Sequence, residues 1–513
     1  MKVKRALVSV SNKIGLDKFA KSLTDMGVEI ISTGGTAKFL KENGIPVTGI
    51  SDVTGFPEIL DGRVKTLHPN IHAGLLANRD IHEHMLTLKE HNIKPIDMVV
   101  VSLYPFEEVS GRRGVSEEEV IENIDIGGPT MIRAASKNFK SVAVVTDPRR
   151  YAELIDEMKE NDNQLGIDTL RSLATQAFHT TAHYDFVIAN WFSEGEADFP
   201  PFMLLDFEKI QDLKYGENPH QRAAYYAEVN ARRHLLSRVT QLHGIELGFN
   251  NMLDMNASRE ILREFSLPAA VIVKHNNPCG VAVAEDIGGA YRKALAADPI
   301  SAFGSVVALN RIVDEELAET LAKKFIEVLV APGYVSEAVE ILTKKERIRL
   351  LVNEERRKVG PGEPDYKRVM GGILVQDKDS GIDEREGMEV VTKRHPTERE
   401  WGDAMFAWRV AKHVRSNAIV LASNLATLGI GAGQMSRVDS MNIALDKSQG
   451  ELQGAAVGSD AFLPFTDALD LAIPRGISVV IQPGGSNRDD EVIKLCDEHD
   501  LAMIFTKTRH FLH

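Results

Sequence analysis

Short apolar runs alternate with helically spaced segments along the first fifty residues: Ala6 to Val10, Leu16 to Met26, Val28 to Ile31, Thr36 to Asn43 and Ile45 to Ile50. That order predicts β-α-β-α-β, the pattern of a parallel sheet covered by helices. Further strands are predicted at Met98 to Leu103 and Ser141 to Thr146, with an acidic helix start at Ser116 to Asn123 between them. An amphipathic stretch from Leu170 to Phe192 runs into the polar, proline-bearing segment Ser193 to Pro201, which reads as a linker. The first domain is therefore a doubly wound α/β unit, residues 1–198, followed by a larger part, 199–513.

The larger part holds an order of landmarks that occurs twice. Val271 to Asn277 leads to Ala302-Phe303 and then Ala331-Pro332-Gly333; Ala418 to Asn424 leads to Ala461-Phe462 and then Gln482-Pro483-Gly484. Spacings differ, so duplication and chance both remain open on motifs alone. Residues 344–384, rich in charge and glycine, read as a connecting excursion, which puts a subdomain boundary near 365/366.

Composition narrows the function classes. At 513 residues the chain is too long for a single core, and 43% hydrophobic with 26% charged residues is ordinary globular usage. A formal charge of −14 argues against nucleic acid as a partner. Two cysteines, Cys279 and Cys496, make no disulfide framework and suit a reducing, cytoplasmic setting, and no apolar run approaches the length of a membrane span. Residues 1–70 nonetheless carry ten Lys plus Arg against seven Asp plus Glu, a local basic region in an acidic protein.

That basic region contains the first candidate chemistry. Ser11-Asn12-Lys13 and Thr33-Gly34-Gly35-Thr36 both stand where a predicted strand meets a helix, where free N–H groups and the helix dipole favour an anion. Ordinary capping by Ser11 and Thr33 is the bland alternative. Arg63 and Lys65, two apart, point the same way in extended backbone and could clamp a phosphate, or could form surface ion pairs. Ser102 and Tyr104 sit at a strand end. Asp125-Ile126-Gly127-Gly128 enters the helix carrying Lys137, which on spacing alone reads as a solvated helix lysine. In the larger part, an apolar strand ends in Lys274-His275, a cation beside an imidazole, suited to acid/base chemistry or to a structural hydrogen bond. Pro278-Cys279 is superficially like a zinc deaminase, but position 282 is Ala. Gly431-Ala432-Gly433 is a weak dinucleotide signal, and Phe505 to Phe511 either brings a cation to a phosphate or frays.

Eight motifs in one order carry a resemblance over the whole chain: Ser32 to Ala37, Gly62 to Pro69, Leu103 to Phe106, Asp125 to Gly128, Lys214 to Gln221, Lys274-His275, Gly431 to Arg437, and Ser459 to Phe462. Together they resemble the bifunctional purine-biosynthesis family that joins AICAR transformylase to IMP cyclohydrolase. The resemblance implies a methylglyoxal-synthase-like N-terminal domain that closes formyl-AICAR to IMP. It also implies a C-terminal part of two cytidine-deaminase-like α/β halves, 199–365 and 366–513, that transfers formyl from 10-formyltetrahydrofolate to AICAR.

Carried over by motif, Ser11, Lys13, Thr33, Gly34, Gly35, Thr36, Arg63, Thr66, Ser102, Ile126, Gly127 and Gly128 line the cyclohydrolase pocket. Lys65, Tyr104, Asp125 and Lys137 stand near the ring, Lys137 exchanging the proton. In the transferase, His275 accepts the amine proton, Lys274 steadies the tetrahedral centre and Asn417 hydrogen-bonds it. Lys214, Tyr215, Asn251, Phe303, Gly304, Glu327, Arg437, Phe462, Asp467, Gly484, Gly485 and Arg509 map to substrate positions. Ser102, Lys214 and Glu327 depart from the common Asn, Arg and Asp of the family. The resemblance implies no metal or tightly bound cofactor, the folate being a cosubstrate, and a homodimer. A phosphate-ligand sensor with a silent deaminase-like half, and a zinc nucleoside deaminase, are the competing readings.

Overall fold

The first apolar run becomes β1 (Arg5–Val10), in which five of six residues are buried. The computed structural model describes residues 1–193, 199–229, 235–237, 239–354, 363–381, 384–448 and 452–513. These fall into two compact units, Met1–Asp206 and Phe207–His513. The boundary expected at 198 lies, with Glu194 to Asp198 of the expected linker, outside the described residues.

In the first unit β1 is followed by α1 (Leu16–Asp25), β2 (Glu29–Ser32), α2 (Gly34–Glu42), β3 (Thr48–Gly49) and α3 (Ile50–Thr54). Then come α4 (Pro69–Leu76), α5 (His82–Glu90), β4 (Met98–Ser102), α6 (Phe106–Ser110) and α7 (Glu117–Glu122). The unit closes with α8 (Gly127–Lys137), β5 (Ala143–Val145), α9 (Tyr151–Glu160) and α10 (Ile167–Phe192). All five strands are parallel, in the order β3-β2-β1-β4-β5. The strand expected over 45–50 shrinks to two residues: Pro46 has no N–H for a ladder, and Ile50 already begins α3. The strand order reverses beside β1, so the carboxyl ends of β1 and β4 open the crevice where such sheets bind ligands.

The second unit opens with a hairpin, β6 (Phe207–Leu213) and β7 (Ala223–Glu228), then β8 (Val239–His243) and α11 (Phe249–Leu262). One set of elements follows: β9 (Ala269–Lys274), β10 (Asn277–Val283), α12 (Ile287–Ala297), β11 (Ser305–Leu309), α13 (Glu315–Ala322), β12 (Ile326–Ala331), α14 (Ser336–Leu342) and β13 (Arg349–Asn353). A separate hairpin, β14 (Pro364–Val369) and β15 (Gly372–Asp377), and the short β16 (Glu389–Val390) lead to α15 (Glu398–Ala411). A second set then runs β17 (Ile419–Ser423), β18 (Ala426–Gly431), α16 (Arg437–Lys447), β19 (Ala456–Ser459), α17 (Asp467–Ala472), β20 (Val479–Gln482), α18 (Asp489–Glu498) and β21 (Ala502–Phe505).

The two sets pair identically. In each, a tight antiparallel hairpin is followed by one antiparallel and then two parallel neighbours, and β10 pairs with β18 to join them in one twelve-stranded sheet. Gly280 and Gly429 occupy matching places, each so close to a helix that an added Cβ would lie about 2 Å from the carbonyl oxygen of Ala294 or Ala444. The chain therefore contains a duplication, but not in the register its landmarks suggest. His275-Asn276 turns where Asn424-Leu425 turns, which matches Val271 with Val420 rather than Ala418. Ala302-Phe303 precedes β11 whereas Ala461-Phe462 follows β19, so only the two Pro-Gly landmarks correspond. The expected 365/366 boundary cuts through β14, and the excursion over 344–384 contains β13, a strand of the main sheet; its residues 355–362 and 382–383 lie outside those described.

Candidate active sites

In the first unit the crevice is lined from both sides. Ser11, just beyond β1, donates its N–H to the Ser102 carbonyl at 3.3 Å and its hydroxyl to the Leu103 carbonyl, while the Ser102 hydroxyl accepts the Asn12 N–H at 3.1 Å. The Lys13 ammonium reaches back to the Ser11 carbonyl at 3.5 Å. Neither α1 nor α2 has a side-chain cap, so the capping alternative for Ser11 and Thr33 fails. Thr33 is buried with its hydroxyl 3.3 Å from that of Ser9, and the buried Thr36 hydroxyl clips both the N–H and the carbonyl of Val10. These two threonines shape the loop from beneath. The N-terminal N–H groups of α2, with Gly34 and Gly35, form its surface.

Lys65 reaches this loop: its ammonium lies 3.7 Å from where a Gly34 Cβ would be and 3.6 Å from the corresponding point on Gly62. Arg63 does not join it. Its backbone is helical (φ −62°, ψ −29°) rather than extended, and its exposed guanidinium pairs with Glu122.

The entrance of α8 closes the other wall. A Cβ on Gly127 would stand 2.7 Å from the Thr66 hydroxyl oxygen, and one on Gly128 would stand 2.6 Å from the Asp125 carboxylate. Asp125 accepts the Gly128 N–H at 2.8 Å, and the Tyr184 hydroxyl accepts the Asp125 N–H at 2.8 Å. Burial raises the Asp125 pKa, opposed by N–H bonds from Gly128 and Tyr104 and by the nearby charge of Lys65. The side chains of Tyr104 and Ile126 are exposed at this mouth. Lys137 is at the other end of α8, about 15 Å along the axis from Gly127, and exposed. Lys65, Asp125 and Tyr104 therefore stand together at the crevice, the Lys65 charge near enough to act on Asp125.

In the second unit one edge of the large sheet collects the other candidates. The two halves run oppositely, so the carboxyl end of β9 and the amino ends of β11, β12 and β13 lie on the same edge as the amino end of β17 and the carboxyl ends of β18 to β21. Lys274 ends β9 and donates to the Phe303 and Gly304 carbonyls at 2.5 and 3.3 Å. Gly304 is left-handed (φ 68°), which lets Phe303 project, 66% exposed. His275 follows with an exposed ring. Asn251 donates to Glu327 at 2.9 Å, and Arg349 donates to the Glu327 carbonyl at 3.5 Å and feels the Tyr215 hydroxyl. Lys214 and Tyr215 begin the exposed β6–β7 connection.

Across a bridge from the Arg415 N–H to the Asn277 side chain (3.0 Å) lies Asn417, whose amide donates to the Gln434 carbonyl at 2.9 Å, leaving its oxygen to accept. Fully buried Asp460 takes the Ser416 hydroxyl and, at 2.9 Å, the Arg437 guanidinium. Burial lowers the Arg437 pKa, against the pull of Asp460. The last residues do not fray: Ser416 and Leu512 exchange hydrogen bonds, and Arg509 stacks over Phe511 with its guanidinium 4.3 Å from the ring centre. Phe462 is partly exposed after β19. Gly484 (φ 73°) lies against the Phe505 ring, and the Gly485 N–H and Asp467 serve local caps at Asp489 and Ala468. Gly431 packs on α16, an added Cβ meeting the Ser440 carbonyl at 1.9 Å, so its glycine serves helix packing.

Asp254, Arg349 and Ser416 escaped the sequence reading, and Asp460 stood in the Ser459 to Phe462 motif without a role. Of the first three only Asp254 had a signal there, three residues from Asn251 on one helix face. Among the described residues no group of three or more His, Cys, Asp or Glu could hold a metal, and burial pushes the Cys279 thiol up to about 12.

Two family models match this chain: one described as "AICARFT/IMPCHase bienzyme" over residues 135–447, more than half the chain, and one described as "MGS-like domain" over 15–130. A solved structure titled "Crystal structure of ForH" is 30% identical, covering 38% of this chain and 99% of that one, with a TM-score of 0.36.

Proposed function

Because this chain belongs to the AICARFT/IMPCHase bienzyme family, and is thus a bifunctional folate-using formyltransferase and IMP cyclohydrolase of purine biosynthesis, we propose that each activity has its own site on its own unit. Cyclisation belongs to the β1/β4 crevice of residues 1–206 and formyl transfer to the Lys274-His275 edge of 207–513. The observation that carries this is the pair of separate constellations, each joining a cation to a proton-handling group.

In the cyclohydrolase crevice the ribotide phosphate meets the N–H groups of α2 with Ser11 and Lys13. Closure requires the carboxamide nitrogen of formyl-AICAR to attack the formyl carbon, lose a proton and shed water. Lys65 holds the developing oxyanion. Asp125, whose pKa burial raises, shares the exchange of the proton with Lys137, the exchanger that the family resemblance implies. In the transferase the AICAR amine is a weak nucleophile, its lone pair delocalised into the ring. His275 takes its proton as it attacks the formyl carbon, Lys274 steadies the tetrahedral oxygen, and the free amide oxygen of Asn417 accepts an N–H of the intermediate. Arg437, fixed by Asp460, and Lys214 serve the anionic groups of the substrates.

The formyl donor is 10-formyltetrahydrofolate, bound and released as a cosubstrate, and neither step calls for a metal or resident cofactor. A homodimer is carried over from the family resemblance. The cysteine usage supports a cytoplasmic setting, and among the described residues no helix is long and apolar enough to cross a membrane. Incubation with AICAR and 10-formyltetrahydrofolate, following tetrahydrofolate and IMP together, tests the reading. Both products form in step if it holds; tetrahydrofolate without IMP, or neither, contradicts it.

A further inference from the structure

The Lys274-His275 edge rests on a backbone that ordinary side chains resist. His275 and Asn276 are consecutive left-handed residues, φ 51° and 60°, a conformation that non-glycine side chains other than Asn and Asp rarely adopt. The Asp254 carboxylate, projecting from α11, accepts the Asn276 N–H at 2.6 Å, and the His275 N–H lies close enough to oppose the rise that burial gives its pKa.

The duplication supplies an internal control. In the second set of elements, Asn424 and Leu425 are left-handed at the matching turn (φ 52° and 54°), and Asp403, projecting from α15, accepts the Leu425 N–H at 2.8 Å. The scaffold is the same, yet Ser423 and Asn424 stand where the first half has Lys274 and His275. This second turn lies at the opposite edge of the sheet, away from Asn417 and Arg437.

We infer that Asp254 is a positioning residue for formyl transfer: it clamps the left-handed turn and so fixes where the His275 imidazole and the Lys274 ammonium meet the reacting formyl group. Asp403 clamps an equivalent turn that carries no chemistry. The inference rests on His275 being the base.

The test compares Asp254→Asn, Asp254→Glu, Asp403→Asn and His275→Ala in the full chain, with formyl transfer and cyclisation of added formyl-AICAR measured on each preparation. Asp254→Asn is expected to lower the kcat of transfer about ten-fold or more, with the KM for AICAR nearly unchanged. Asp254→Glu should recover part of that loss, cyclisation should be unaffected, and Asp403→Asn should transfer formyl at the wild-type rate. If Asp254→Asn does not fold, Asp254→Glu carries the test, its displaced carboxylate lowering kcat without raising KM. A folded Asp254 variant with wild-type kcat, a loss confined to KM, or an equal loss in Asp403→Asn overturns the inference. Full activity in His275→Ala instead overturns the underlying assignment of the base.

Discussion

At the scale of single residues, the two sites separate groups that shape a loop from groups that face a ligand. Thr33 and Thr36 look alike in sequence beside Gly34 and Gly35, but both are buried and their hydroxyls bond to Ser9 and Val10. In the proposed site, ligand contact falls to backbone N–H groups and to Lys65. Lys65→Ala is therefore expected to lower the kcat of cyclisation about a hundredfold while leaving formyl transfer intact, measured with added formyl-AICAR and then with AICAR plus folate. Loss of both activities would mean that Lys65 serves the fold. The motif Gly62 to Pro69 announced Arg63 and Lys65 as a pair, but alternation along an extended strand was the wrong geometry: a turn sends Arg63 to Glu122 and Lys65 to the crevice. Likewise Lys137 is identifiable by motif, but its distance from Gly127 depends on the unbroken helix between them.

At the scale of elements, the parallel strands were readable because burial on both faces leaves nearly continuous apolar runs such as Met98 to Val101. The duplication was harder to read because its anchors are mostly packing contacts. Gly280 and Gly429 correspond, and each exists because a helix backbone comes too close for a side chain. Gly429→Ala should destabilise the chain by about 1–3 kcal/mol or more, seen as a lower urea midpoint; an unchanged midpoint would show that α16 can move away. The second half has its own charge lock. Burial alone would raise the Glu400 pKa, but hydrogen bonds from Arg394 and Thr397 outweigh it and hold the carboxyl down at about 2. A depressed carboxyl pKa stabilises the fold above the unfolded value, about 4.3, and that stability is lost as pH falls from there towards about 2. Glu400→Gln should flatten the loss of stability over that interval in acid unfolding, and an unchanged slope would remove the lock from the account.

At the scale of the whole molecule, each unit has its own core: the first is built on Leu7, Ile31, Val99 and Val144, and the second has clusters such as that around Ile272, Val307 and Leu329. A chain ending at Asp206 is accordingly expected to fold alone and cyclise formyl-AICAR, with circular dichroism reporting the fold and IMP formation the activity. The proposed transferase edge was not legible in the sequence, since Lys274, Glu327, Asn417 and Arg437 are spread over 164 residues and lie along one sheet edge only because the halves run in opposite senses.

The most direct measurement of two independent sites on one chain follows tetrahydrofolate, formyl-AICAR and IMP in a single time course for Lys65→Ala and His275→Ala, supplied with AICAR and 10-formyltetrahydrofolate. Lys65→Ala should release tetrahydrofolate and accumulate formyl-AICAR. His275→Ala should release none, yet convert added formyl-AICAR to IMP at the wild-type rate. If either substitution abolished both reactions, or neither altered its own, the two-site account would be wrong.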